Sequence, residues 1–251
     1  MSHLITDTGV VFGRYTRQML GSRVALLFGL LQPLLFLVLF GPLLEDVPLG
    51  GSGDSWQTLV PGLLVQLGLF SSAFAGFGIL MEKNTGVIER MRVTPVSRLA
   101  LLLGRILCDV LQLLAQALVL VVTGMAFGLR APVAGVLLGF LFVGVLAMSL
   151  ASLSYALAMH VSTPQEFAPV VNAVNLPAML LSGILLPMAL APAWLDAVSH
   201  FVPFRYLVDA VRAAFVGDYG SGSVAVGALV AVVMASVSMA LGTHFFRKAG
   251  A

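Results

Sequence analysis

Charge, cysteine and tryptophan are all scarce in this chain of 251 residues. Only 10% of positions are Asp, Glu, Lys or Arg, where a soluble domain carries about 25%. So little charge cannot cover a water-facing surface, and the residues AVILMFWYC supply 59% of the chain. With a mean hydropathy of +1.04, a soluble globule of this length could not hide its apolar surface. Soluble enzymes, disulfide scaffolds and disordered chains are excluded. The one cysteine, Cys108, allows no internal disulfide and no thiolate metal cluster. Lysine occurs only at positions 83 and 248, neither preceded by glycine, so there is no G-x-x-x-x-G-K-[ST] phosphate loop. Neither H-E-x-x-H nor G-x-S-x-G occurs, and His3, His160, His200 and His244 lie near or beyond the ends of apolar runs. The sequence therefore offers no catalytic residue and no metal site. Its sparse basic residues do not point to nucleic acid.

What it has is long apolar runs. A bilayer-crossing helix needs about 20 mostly apolar residues. Six segments qualify: 24–44, 59–81, 99–128, 133–159, 168–190 and 224–246. The first begins only after Arg14, Arg17 and Arg23, with no small-residue cleavage site behind it, and reads as a retained span. Basic residues accumulate in short cytoplasmic loops. With the N-terminus inside, Arg14, Arg17, Arg23, Lys83, Arg90, Arg92, Arg98, Arg105, Arg247 and Lys248 are cytoplasmic, and Arg130, Arg205 and Arg212 are not. Both termini then lie inside. Segment 8–23 clusters Val11, Phe12, Tyr15 and Met19 on one side and reads as an amphipathic interfacial helix on the lipid bilayer.

Segment 192–216 carries Asp196, His200, Arg205, Asp209 and Arg212, too many ionisable groups for a lipid-facing span. Trp194, Val198 and Phe201 share one helical face; Leu207, Val208, Val211 and Phe215 share another. Between them stands Pro203. The pattern predicts a re-entrant external hairpin packed against protein, with Asp209 in reach of both Arg205 and Arg212. The fold class is all-α integral membrane, a single domain over 1–251.

The long charged loop between spans two and three reads M-E-K-N-T-G-V-I-E-R-M-R-V-T-P-V-S-R, followed by L-A-L-L-L-G-R. Val87, Ile88 and Met91 form a short apolar stripe, and Thr94-Pro95 is a good cap for span three. Such a helix suits docking to a soluble partner, or else the loop only sets topology. Glu82, Gly86, Glu89, Arg90, Met91, Arg92, Thr94, Pro95, Ser97, Arg98, Gly104 and Arg105 resemble the signature loop of ABC-2-type permeases, the membrane halves of a class of ATP-driven exporters. A second match is S-G-I-L-L-P at 182–187 with P-F-R-Y-L-V-D-A-V-R at 203–212, which includes Pro203, Arg205, Tyr206, Asp209 and Arg212. The look is closest to the daunorubicin-resistance branch.

The resemblance implies two permeases, a homodimer in preference to a heterodimer, with two ATPase subunits in the plasma membrane. ATP and magnesium belong to those partners; this chain binds no cofactor. The loop, with Glu82, Val87, Glu89 and Arg90 among its members, becomes a coupling helix seated on the ATPase. The cargo is then a drug, antibiotic or lipid. A polysaccharide or lipid-linked glycan is the alternative, weakened by the shortage of Trp and Tyr; an intramembrane enzyme is more distant.

Arg105, Asp109, Gln112, Gln116 and Thr123 recur on one face of span three. Polar groups within a span face the bundle interior or a water-filled cavity. This face is either a wall of the route or a structural set in which Arg105 neutralises Asp109. Asn172 and Asn175, near Pro177 in span five, are equally balanced between route and packing. The expected path runs along spans two and five. Gly135 with Gly139, and Gly227, mark close-packing faces.

Overall fold

The computed structural model describes residues 2–21, 23–44, 54–84, 98–185 and 187–248. They form α1 (Ser2–Gly21), α2 (Arg23–Leu44), α3 (Ser55–Ala73), α4 (Ala75–Asn84), α5 (Arg98–Ala126), α6 (Val133–His160) and α7 (Pro164–Leu181). A 3-10 turn (Met188–Leu190), α8 (Ala193–Ser199), α9 (Pro203–Val216) and α10 (Gly222–Lys248) follow. No strand occurs among the described residues.

Four helical runs among them are long and apolar enough to cross a bilayer: 55–82, 99–126, 133–160 and 222–245. Six were expected. The other two correspond to α2, an apolar helix of 22 residues over Arg23–Leu44, and α7. At 18 residues and about 1.5 Å per residue, α7 reaches about 27 Å, just short of a hydrocarbon core.

α6 is the hub, packed against α3, α4, α5, α9 and α10. α3 is the most enclosed, with every residue from Thr58 to Leu69 buried. Outer helices show the opposite distribution. Leu229, Val232 and Val233 on α10, and Leu118 and Val122 on α5, are more than half exposed. Lipid tails cover such side chains as readily as protein does, so outward apolar residues carry no penalty in a bilayer.

Expected span two is broken at Phe74, where α3 gives way to α4. Ser154 of α6 bridges the break: its Oγ donates to the Ala73 carbonyl (2.6 Å) and accepts from the Gly76 N–H (2.8 Å). One hydroxyl thus replaces helix bonds the break forfeits, as a buried backbone requires. The expected path along span two also needs restating. α3 is enclosed by its own chain, and the exposed apolar residues of this run are Phe77 and Met81, on α4.

Span five was expected to reach residue 190. α7 begins earlier, with Thr163 as N-cap and Pro164 at its first position, and stops at Leu181. The cause is local. Gly183 takes a left-handed conformation (φ 70°), and Arg212 occupies the carbonyls beyond it.

The segment read as a hairpin holds two short helices, α8 and α9, on either side of a turn at 200–202. The predicted apolar face of α9 is buried, Leu207, Val208, Val211 and Phe215 each 1% exposed or less. Glycines on both neighbours make room for it. A methyl added at Gly139 of α6 would meet Phe215 Cε2 at 2.7 Å, and one at Gly227 of α10 would meet the Tyr206 carbonyl oxygen at 2.9 Å. Trp194 on α8 and Phe201 in the turn after it are 68% and 88% exposed.

Candidate functional site

The stretch bearing most of the loop motif, Gly86, Val87, Glu89, Arg90, Met91, Arg92, Thr94 and Pro95, lies outside the described residues. Its two flanks are described. α4 ends at Asn84, and α5 begins at Arg98.

The flanks are tied together. Glu82, near the end of α4, forms an ion pair with Arg105, two turns into α5, and the two side chains are only 19% and 12% exposed. Tyr15 of α1 completes the corner: its hydroxyl donates to Glu82 Oε2 at 3.2 Å, and its ring lies 4.3 Å from the Arg105 guanidinium carbon. Stacking on an aromatic face suits a planar guanidinium with little water around it. Burial pushes the Tyr15 phenol above its ordinary pKa, against the pull of the Arg105 charge, so it stays protonated and remains a donor. α1 reaches this position because Gly104 has no side chain. A methyl there would meet Val11 Cγ1 at 2.7 Å and the Thr8 carbonyl oxygen at 3.0 Å. The motif pair Gly104-Arg105 therefore has a physical reading: glycine admits α1, and arginine binds what α1 and α4 bring.

The expected Arg105–Asp109 pair is corrected by this geometry. Arg105 turns to Glu82, and Asp109 accepts a hydrogen bond from Tyr155 of α6. A helix one turn long was the wrong frame, because α4 runs back alongside and offers a better-placed carboxylate.

Further along the same α5 face, Gln112 and Gln116 open onto a cavity of about 220 Å³, which Gln32 and Pro33 of α2 and Gln66, Phe70 and Ser71 of α3 also line. Gln32 and Gln66 were missed from sequence. The signal was available as one glutamine in each of two otherwise apolar runs, at matched depth. Of the α7 amides, Asn175 is buried and its Nδ2 donates to the Leu69 carbonyl of α3 at 3.4 Å; Asn172 is half-buried.

At the other end, Arg212 of α9 donates from Nε to the Thr58 carbonyl (3.2 Å) and from Nη2 to those of Gly183 (2.8 Å) and Ile184 (3.1 Å). Burial pulls its pKa down to about 10, partly offset by Asp209. The pairing expected for Asp209 is therefore half right. Its carboxylate lies 3.8 Å from Arg205, whereas Arg212 is taken by backbone. Arg205 is held more closely by Asp196, at 2.7 Å, and the Tyr206 hydroxyl donates to the His200 carbonyl.

A bundle of long apolar helices with ionisable groups paired inside it is the architecture of a multi-pass membrane protein. The ABC-2 type transporter family matches residues 6–216, and the chain belongs to that family. It is 26% identical over 223 residues to the daunorubicin resistance ABC transporter permease protein DrrB1 of Streptomyces coeruleorubidus, covering 88% of this chain and 79% of that one. A transport permease named ycf38 from Cyanophora paradoxa is 27% identical over 213 residues, 83% of this chain and 73% of the relative. DrrC of Mycobacterium tuberculosis, described as a probable doxorubicin resistance ABC transporter permease, is 24% identical over 77% of this chain and 71% of its own.

Proposed function

We propose that this chain is the permease subunit of an ATP-binding-cassette exporter that carries a hydrophobic or amphipathic molecule, a drug, antibiotic or lipid, out of the cytoplasm. α2 and α7 complete six spans, both termini are cytoplasmic, and the membrane is the plasma membrane. ATP and magnesium are bound by a separate ATPase, two copies of which serve two copies of this permease. Segment 86–92 is the coupling element that docks to the ATPase, and Glu89 and Arg90 are its charged members under test.

The observation that carries this reading is the Tyr15–Glu82–Arg105 corner. It fixes the two helices that deliver and receive the motif-bearing segment, so force on that segment passes into α4 and α5 together. Family membership and the drug-resistance names of two relatives support the export class. The path is read along α4, α7 and the polar face of α5, with Asn172 beside it.

The test is charge reversal at Glu89 or Arg90 in the chain co-expressed with its ATPase. ATP-driven accumulation of a neutral fluorescent amphiphile in inverted vesicles is expected to fall at least tenfold, with membrane insertion and ATP turnover retained. Normal accumulation in both reversals would defeat the coupling role.

A further inference from the structure

Gln32, Gln66, Gln112 and Gln116 converge on the cavity from α2, α3 and α5. All four sit near the middle of their helices. Gln32 lies about 14 Å beyond the start of α2 and Gln66 about 16 Å beyond that of α3, at about 1.5 Å per residue. Gln66 and Gln116 are 2% and 3% exposed, and the Oε1 atom of each has no hydrogen-bond partner. A buried acceptor left unpaired is costly, more so in hydrocarbon. Gly29 keeps the space open on the α2 side, where a methyl would come within 2.5 Å of Gln116 Nε2.

The cavity does not end in polar walls. Gln32 is exposed at its rim and also begins an apolar groove along α2, lined by Leu31, Leu35, Phe36 and Leu39. The surface therefore changes from polar to apolar at one residue.

We infer that this pocket binds the neutral, hydroxyl-bearing head of an amphiphile that enters sideways from the bilayer, its apolar tail lying along α2. Amides donate and accept, as hydroxyls do, so each ligand hydroxyl can satisfy one orphan oxygen while taking a bond from a neighbouring amide. No charged side chain lines the cavity, so an ionic head would be stranded without a counter-charge. Its volume of about 220 Å³ equals that of about seven waters, which suits a single sugar-sized head. This inference rests on the reading of the chain as a carrier of amphiphiles and assigns that cargo a head chemistry and a place.

The probe is octyl β-glucoside, below its micelle concentration, added to the full chain in phosphatidylcholine nanodiscs. Octyltrimethylammonium, with the same tail and a charged head, is the comparison. At ten times its dissociation constant the glucoside is expected to raise the unfolding temperature by about 3–6 °C, and the ammonium to raise it by less than 1 °C on the same scale. The double variant Gln66→Leu, Gln116→Leu is expected to unfold at or above the wild-type temperature without ligand and to lose the glucoside shift. Gln32→Leu, at the rim, should keep its fold and lose about half the shift. Equal shifts with both probes, a shift retained in the double variant, or a double variant that unfolds early because the amides hold the helices together would each overturn the inference. An absent shift in the wild type would do so too, and would mean that lipid or a second copy covers this face. A glucoside shift confined to the wild type, with no ATP-driven accumulation of any neutral amphiphile in vesicles, would uphold the pocket and defeat the proposed export.

Discussion

Arg105 and Arg212 sit at opposite ends of the α3–α4 run, one bound beside Glu82 and the other beside Thr58, and they are held by different chemistry. Arg212 donates to three backbone carbonyls drawn from α3 and the segment after α7. Arg105 is held by side chains alone, a carboxylate from α4 and a phenol ring from α1. Backbone acceptors cannot rotate away or change protonation, so the Arg212 end is a fixed clamp. Side-chain partners can exchange without unfolding a helix, so the Arg105 end can change partners while the bundle persists. Under the proposed coupling the Arg105 end is the driven one: it yields, and the far end holds register.

The sharpest way to break this comparison is Arg212→Met. It removes a charge-assisted bond from each of three carbonyls and is expected to cost about 4 kcal/mol, with failure to recover folded chain from membranes. Wild-type yield and unfolding temperature would show the clamp to be dispensable. Glu82→Gln comes next. It leaves Arg105 largely buried without its counter-charge, with an expected cost of about 2–3 kcal/mol after allowing for partial exposure. Pairing it with Arg105→Gln should recover part of the loss. Additive effects of the two changes in a thermal-unfolding cycle would mean the pair does not couple. Ser154→Ala removes one hydroxyl that serves two backbone groups, for about 1–3 kcal/mol, read as faster hydrogen exchange at Gly76 than in the wild type. Unaltered exchange there would mean the break satisfies itself. The smallest effect belongs to Tyr15→Phe, which keeps the ring over Arg105 and loses only the bond to Glu82, about 0.5–1.5 kcal/mol. A larger loss would show the hydroxyl, not the ring, to be the main hold of α1 on the corner.

Hydropathy placed α5, α6 and α10 to within a few residues, because a bilayer demands a continuous apolar run and permits few ways to supply one. It also separated the α8–α9 hairpin from the spans, since five ionisable residues could not face lipid. The break at Phe74 was illegible. Nothing in the local sequence S-S-A-F-A-G-F marks it; the group that stabilises it, Ser154, lies 80 positions later. The early end of α7 was hidden for the same reason, because Arg212 supplies the bonds that end it. Within the site, Arg105 and Asp109 were found and mispaired. Spacing along one helix names the residues that can touch, and a neighbouring helix decides which of them do. Gln66 stayed hidden because a lone glutamine in an apolar run draws notice only when glutamines on other helices are counted at the same depth.

The Ser154 clasp at the junction of α3 and α4 has a mechanical meaning. An unbroken helix transmits a push along its axis as a rigid strut, whereas one interrupted in its hydrogen-bond ladder bends first at the interruption. The α4 segment is a ten-residue crank joined to a buried axle, α3, by a hinge whose pin is a single hydroxyl on α6. Displacement of Glu82 swings the crank and turns at Phe74 before the axle feels it. Under the proposed coupling a stroke is spent sideways, on the exposed Phe77 and Met81, and spares the enclosed packing from Thr58 to Leu69.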